Sequence, residues 1–415
     1  MSLHYIWFFF FIIAFVTAFL HWITTGDGAI FKTLTDGIFK SASDSVDISF
    51  KLIGVMTLFL GFMGIGEKAG AIRFLSRLVE PFFSRLFPEV PKRHPAYGHM
   101  MMNFSANLLG LDNAATPFGL KAMESLQSLN PDKDRASNAQ IMFLALHASG
   151  LTLIPISIIA MRAAVVPPAA NPTDIFIPCM ITTLVATLAA LMIVSIRQKI
   201  NLLQPVVLSW IVCIAAGVGG LITFLKMSLD QKGIESFSNT LSNGLILLIF
   251  LVFLLGGYVK KINLFESFVD GAKGGFEVAI KIIPYLVAML VAIGALRSSG
   301  VFDHLVSGMQ FAFATIGWDT QFVSALPTAL MKPLSGSGAR AMMIDTMNTY
   351  GADSFSGRLS AIFQGTSDTT FYVVAVYFGS VGVKNTRYSI PSMLLADLVG
   401  IITAILMAYI FFGGL

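Results

Sequence analysis

Charge is scarce in this sequence. Of its 415 residues only 12% are Asp, Glu, Lys or Arg, against 55% hydrophobic, whereas soluble domains carry roughly a quarter charged residues. Too few remain to coat a globule of this size. Cysteine is scarcer still. Cys179 and Cys213 both lie in apolar runs, which argues against a disulfide framework. The six histidines form no metal-binding pattern. There is no phosphate loop, no HExxH and no cysteine pair at metal spacing. Gly336-Ser337-Gly338 lacks the five-residue frame and the preceding strand of a nucleophile elbow. These absences lead us to expect no enzyme, no metal and no cofactor. The net charge of +4 does not point to nucleic acid, because Lys and Arg cluster between apolar runs, as membrane-flanking charges do.

Long apolar runs are what the chain has in abundance. A spanning helix needs about 20 apolar residues, and residues 5–22, 48–65, 175–196, 205–224, 241–259, 278–296 and 390–412 qualify. The first has no basic n-region and no small-residue cleavage site, so it reads as a retained span rather than a signal peptide. Residues 139–163 and 359–379 are long enough but carry polar residues at mid-depth. Residues 71–86 and 301–313 read as surface helices. In the first, Ile72, Leu75, Val79, Phe82 and Leu86 recur at helical spacing, while Arg73, Arg77, Glu80 and Arg85 take the other face.

Residues 101–129 and 322–350 are apolar but broken, the first by Gly110 and Pro117 among polar residues, the second by Pro327, Lys332, Pro333 and Ser335-Gly336-Ser337-Gly338. Lipid-exposed backbone tolerates no such irregularity, because each unsatisfied peptide group costs several kcal/mol there. Both segments are therefore expected to be re-entrant hairpins, with polar loops outside the membrane as the alternative.

The chain also repeats itself. Phe31 and Asp36-Gly37 recur as Phe265 and Asp270-Gly271, and Lys51-Leu52-Ile53 as Lys281-Ile282-Ile283. Ser105-Ala106 and Ala122-Met123 match Ser324-Ala325 and Ala341-Met342, then Ser149 and Thr152 match Ser367 and Thr370. Ile177-Pro178-Cys179-Met180 matches Ile390-Pro391-Ser392-Met393. The offset only shrinks along the series. Residues 205–224 have no counterpart, and that extra crossing inverts the second half. The expected fold is thus an all-α polytopic membrane protein of two inverted-topology repeats, 1–200 and 236–415. A connecting helix and loop over 201–235 joins them. Each repeat has four spans, an interfacial helix and a re-entrant hairpin. The clustering of Lys and Arg puts the N-terminus in the cytoplasm.

Inverted repeats with discontinuous helices place substrate near the midplane. Stacking them brings four polar clusters together. The first hairpin offers Asn103, Asn107, Asn113 and Thr116 to a solute, with Asp112 for ion coupling. The following span breaks around His147, Ser149 and Thr152. The second hairpin offers Ser335, Ser337 and Arg340, with Asp345 deeper, and its span breaks at Gln364, Thr366, Ser367, Asp368 and Thr369. Charges in spans are costly and face a bundle interior or an aqueous path. Asp112, His147 and Asp368 are therefore the candidates for coupling to a proton or sodium ion, with Arg340 as the expected protein partner of Asp368. In the plainer alternative, Lys121 and Arg340 are structural braces, His147 bonds a neighbouring carbonyl, and Asp397 caps helix packing through a Ser or Thr.

Asn103 to Pro117 with the following Phe118-Gly119-Leu120-Lys121-Ala122-Met123 resembles the spore maturation A proteins. Pro333-Leu334-Ser335-Gly336-Ser337-Gly338-Ala339-Arg340 and Gln364-Gly365-Thr366-Ser367-Asp368-Thr369-Thr370-Phe371-Tyr372 resemble the spore maturation B proteins. Both groups belong to the membrane family named for a nucleoside-recognition, or Gate, domain. The resemblance covers nearly the whole chain, as a fusion of the two would. It implies a role connected with spore core dehydration in sporulating bacteria, and a fused form fits a non-sporulating bacterium equally well. The functional expectation is a secondary transporter in the bacterial inner membrane for a small polar or anionic metabolite of the nucleoside, amino-acid-like or dicarboxylate class. Its partners are the solute, the lipid bilayer and a second copy of the chain, with no nucleic acid. The alternative is a membrane scaffold or regulator that moves no solute itself.

Overall fold

The computed structural model describes residues 2–91 and 93–413, without the side chains of residues 2–4, 112–114 and 231. Every regular element among them is helical. Ser2–Thr25 (α1) and Ala29–Ala69 (α2) are followed by the short Ala71–Phe83 (α3). Pro95–Leu108 (α4) and Asp112–Leu129 (α5) form a helical hairpin, and Asn138–Ala148 (α6) and Ile156–Ala164 (α7) are two halves of an interrupted run. Phe176–Gln198 (α8), Pro205–Ser228 (α9), Gln231–Val259 (α10) and Leu264–Ser298 (α11) are long. Val301–Thr315 (α12) is followed by a 3-10 turn over Val323–Ala325 and by Leu326–Met331 (α13). Gly336–Tyr350 (α14), Phe355–Gly365 (α15), Thr370–Ser380 (α16) and Ser389–Phe412 (α17) complete the chain.

Among the described residues seven helices are long and apolar enough to cross a membrane: α1, α2, α8, α9, α10, α11 and α17. They coincide with the seven continuous apolar runs. The protein is a multi-pass membrane protein. At 1.5 Å per residue α2 is about 60 Å long, twice the hydrocarbon thickness, and its composition divides accordingly. Lys32, Asp36, Lys40, Asp44 and Asp47 occupy its first half, whereas residues 52–66 of its second half carry no charge. The two runs with polar mid-sections are not continuous helices. α6 ends before Ser149 and Gly150, and α15 ends at Gly365, four residues before α16 resumes.

The chain divides into two compact units. The first comprises Met1–Thr57, Ser157–Pro172 and Gly274–Gln364, and so contains α1, α7 and α12 to α15 with parts of α2 and α11. Its charges close on one another. Arg297 at the end of α11 donates two hydrogen bonds to Asp345 of α14, at 3.0 and 2.5 Å, and one to Asp303 of α12 at 3.1 Å. The fully buried Arg162 of α7 donates to the carbonyl oxygens of Ala352 (2.7 Å), Pro172 (3.3 Å) and Asn171 (3.4 Å) and to the Asp353 carboxylate (3.3 Å). A buried guanidinium is tolerated only when its donors are used in this way.

The second unit comprises Leu58–Ile156, Thr173–Lys273 and Gly365–Leu415. Its core runs from Phe83 of α3 through Phe104 of α4 to Phe143 of α6, with ring centroids 4.4 and 5.5 Å apart. Amphipathic α3 turns Ile72, Val79 and Phe83 inward and leaves Arg73, Arg77 and Glu80 exposed. α2 and α11 approach so closely that a Cβ on Gly64 would lie 2.8 Å from the Ser267 carbonyl and 2.9 Å from the Gly271 Cα. Without a hydrophobic driving force between helices in lipid, such close van der Waals packing is what holds them.

Candidate functional site

A capping box starts α6: the Ser137 hydroxyl accepts from the Gln140 N–H at 3.2 Å, and the Gln140 side chain accepts from the Ser137 N–H at 2.9 Å. The helix ends at Ala148, and Gly150 just beyond it is left-handed at φ +62°, a conformation that favours glycine. A Cβ there would meet the backbone of Ser367 and Asp368 at 3.2 Å. The two helix breaks therefore lie against each other within the second unit. The Asp368 N–H donates to the Ala148 carbonyl at 2.7 Å, so a carbonyl orphaned at the end of α6 is satisfied by an amide from the other break. Satisfying backbone groups of one break with those of another is what allows irregular chain among apolar helices.

His147, in the last turn of α6, is buried. Its Nδ1 lies 2.8 Å from the Asn107 side-chain amide and 3.1 Å from Asn103 Oδ1, both on α4. Asn103 Nδ2 in turn donates to the Ala115 carbonyl of α5 at 2.7 Å. His147 Nε2 faces Asp368 Oδ2 at 3.8 Å, too far for a hydrogen bond. The Tyr377 ring of α16 meets the imidazole edge-on, centroids 4.8 Å apart. Asp368 is half-exposed and accepts from the Thr369 N–H at 2.7 Å, just before α16, whose N-terminal partial positive charge favours a carboxylate. Ser367, Thr366 and Thr369 are buried beside it. The Ser367 hydroxyl has no hydrogen-bond partner among the described residues. Thr370 donates to Asp397 of α17 at 2.6 Å, which is the helix-packing role open to Asp397 from the sequence.

Several expected site residues thus fall together in the second unit. Ser149 packs on Thr187 of α8 at 3.0 Å, and Thr152 donates to the Gly150 carbonyl at 2.8 Å. Thr116 is exposed on α5. Asp112 and Asn113 open α5, but their side chains lie outside the described residues. Ser335, Ser337, Arg340 and Gln364 belong to the first unit. There Ser335 caps α14 by accepting from the Gly338 N–H at 3.0 Å, and its hydroxyl lies 3.3 Å from that of Ser337. Arg340 is half-buried on α14, and Gln364 is buried at the end of α15. The ion pair described for Asp368 is with His147, where the sequence pointed to Arg340. Sequence reasoning missed Tyr377, Thr187, Arg162 and Arg297. The one usable signal was Arg162, a lone cation in an apolar run; an aromatic ring in an apolar helix gives none.

Residues 49–165 and 279–384 match the family model described as nucleoside recognition, named Gate. The chain belongs to the Gate family. It is 46% identical to spore maturation protein B of Bacillus subtilis (strain 168) over 175 residues, 42% of this chain and 97% of that protein. It is 42% identical to spore maturation protein A of the same organism over 162 residues, 39% of this chain and 82% of that protein. The Gate chain is therefore homologous to both. No solved structure matches it.

Proposed function

We propose that this Gate protein is a secondary transporter of the bacterial cytoplasmic membrane for a small polar metabolite, and not an enzyme. The observation that carries this reading is the pair of laced helix breaks, which holds amides, hydroxyls, an imidazole and a half-exposed carboxylate among apolar helices. Polar groups at such depth are expensive unless they serve a path or a ligand. Of the three solute classes, nucleosides fit best. Amides and hydroxyls match a base and a sugar, Tyr377 supplies an aromatic edge, and Asp368 repels a dicarboxylate. The family's description points the same way.

The proposed architecture is two inverted repeats, 1–200 and 236–415, around a connecting 201–235. Helices α1 to α8 and α10 to α17 run through a similar series of long and short elements, except that the six-residue α13 stands in the place of α4, and α9 has no counterpart. The two stretches matched by the family model begin at 49 and 279 and end at 165 and 384, positions that the internal offsets superpose. In this scheme the α4–α5 and α13–α14 hairpins re-enter the membrane from opposite faces, and the N-terminus is cytoplasmic. Single cysteines at the exposed Val166 and Lys384, with Cys179 and Cys213 replaced, should label from opposite sides, position 384 from the cytoplasm. Labelling of both from one side would end the inverted-repeat scheme.

The function itself is tested by thermal stabilisation of the purified protein against panels of nucleosides, amino acids and dicarboxylates, followed by flux in proteoliposomes. A ligand at 100 times its Kd stabilises by about 2.7 kcal/mol, which such a screen detects. Stabilisation and flux with one class are expected. Absence of both with every class would favour a scaffold or regulator, a reading that the relatives' names, which state a process and no solute, also permit.

A further inference from the structure

The His147 ring has a fixed acceptor beside each nitrogen. On one side Asn103 gives its amide nitrogen to the Ala115 carbonyl, which holds its oxygen 3.1 Å from Nδ1. On the other side the Asp368 carboxylate stands 3.8 Å from Nε2. A neutral imidazole has a single N–H, so it serves one acceptor and turns a lone pair toward the other. Asn107, 2.8 Å from Nδ1, is the neighbour able to adapt. Its amide donates to a bare Nδ1 or, after half a turn, accepts from Nδ1–H. Only the doubly protonated ring both donates to Asn103 and turns positive charge toward Asp368.

We infer that His147 is the proton-binding residue of this protein, with Asn103 as its fixed acceptor, Asp368 as its counter-charge and Asn107 as the amide that follows its charge. That the proton drives solute movement rests on the transport reading above; the binding itself does not. The helix ends agree with it. His147 sits at the partially negative C-terminus of α6 and Asp368 at the partially positive N-terminus of α16, so both members of a charged pair are favoured. A hard cation fits less well. Sodium and its like require several oxygen ligands, and this gap is bounded by an imidazole nitrogen. No group of three His, Cys, Asp or Glu able to hold a metal occurs among the described residues. The proton comes from water on one face of the membrane and returns to water on the other, and only an N–H bond is made and broken. The other groups around the ring are few. α4 presents neutral amides, α16 presents Tyr377, and Asp397 of α17 is engaged by Thr370. Asp112 opens α5, its side chain outside the described residues.

The test is nitrogen NMR of the full chain in lipid nanodiscs, with ¹⁵N-labelled histidine and His147→Gln to assign the signal, titrated from about pH 8 to about pH 5. The expected result is a ring protonated on both nitrogens at the acid end, unchanged when sodium chloride replaces choline chloride. Asp368→Asn should cut the ratio of charged to neutral ring at a given pH about tenfold or more, the effect of losing an opposite charge within 4–6 Å. Asn103→Leu should also reduce that ratio, a change that loss of packing alone would not produce. If Asp368→Asn fails to fold, Asp368→Glu, which should keep the ratio, and Asn103→Leu carry the test. A ring that stays neutral to pH 5, a ratio indifferent to these variants, or displacement of the proton by sodium would each overturn the inference. A titrating ring without flux of any solute would instead sink the transport reading and leave the proton site standing.

Discussion

The Arg297–Asp345 pair of the first unit and the His147–Asp368 pair of the second solve the same problem in opposite ways. The first is closed: two hydrogen bonds, a second carboxylate from Asp303, and a guanidinium 4.5 Å over the Phe302 ring. The Arg297 and Asp345 side chains are only 20% and 11% exposed. The second is open, with 3.8 Å between the imidazole nitrogen and the carboxylate oxygen and nearly half of the carboxylate exposed. A closed pair recovers part of its desolvation cost through geometry, whereas an open pair forgoes that gain and stays available to a third party. A closed pair and an open one are thus distinguishable by distance and exposure within one chain.

The sharpest way to break this comparison is to open the closed pair. Asp345→Asn or Arg297→Gln should each destabilise by about 3–5 kcal/mol, because Arg297→Gln leaves the buried Asp345 uncompensated and Asp345→Asn leaves Arg297 only the exposed Asp303. The melting temperature of the purified protein reads this directly, and the double substitution should recover part of the loss. A small effect of the single changes would mean that the pair is not a brace, and the contrast would lose one side.

Thr370→Val is expected to act more mildly. It removes the 2.6 Å hydrogen bond to the buried Asp397, and a bond to a charged group is worth about 1.5–3 kcal/mol. The melting temperature should fall and flux should fall little, because Asp397 packs α17 rather than facing the gap. A variant that melts normally but has lost flux would move Asp397 into the site.

How much of this was legible from sequence follows from what sequence encodes. The seven continuous spans were readable because hydropathy over about 20 residues is a sum, and sums survive local detail. The helix breaks were readable because His147-Ala148-Ser149-Gly150 with Thr152 interrupts one run, while Thr366-Ser367-Asp368-Thr369-Thr370 interrupts the other. Asn103, His147 and Asp368 stood out as polar residues among apolar ones. Their pairing did not, because it depends on the tertiary contact that sets Ala148 against Asp368, 220 positions apart along the chain. Arg340 was the more obvious partner by charge, since histidine declares none at neutral pH. The second hairpin was legible in outline only. Its first arm is a 3-10 turn and the six-residue α13, not a full helix like α4, because Pro327 and Pro333 bracket too short a stretch to propagate one.

The smallest expected effect on stability is the most informative one. Asp368→Asn keeps the shape of the side chain and the N–H acceptor for Thr369. The His147 contact it weakens is long and partly solvated, so its contribution is screened. The melting temperature should therefore stay within error of the parent while flux in proteoliposomes falls severely. A bracing residue would show the reverse, a lowered melting temperature with flux lost only in proportion to folded protein. The control lies in the same chain: Asp345→Asn, the identical chemical change at the closed pair, should lower the melting temperature strongly. If both substitutions destabilise equally, 3.8 Å and partial exposure do not mark a working carboxylate here, and Asp368 joins Asp345 as scaffold. If neither variant alters melting or flux, the functional gap lies elsewhere. The buried Ser367 hydroxyl, unpartnered among the described residues, is then the next position to substitute.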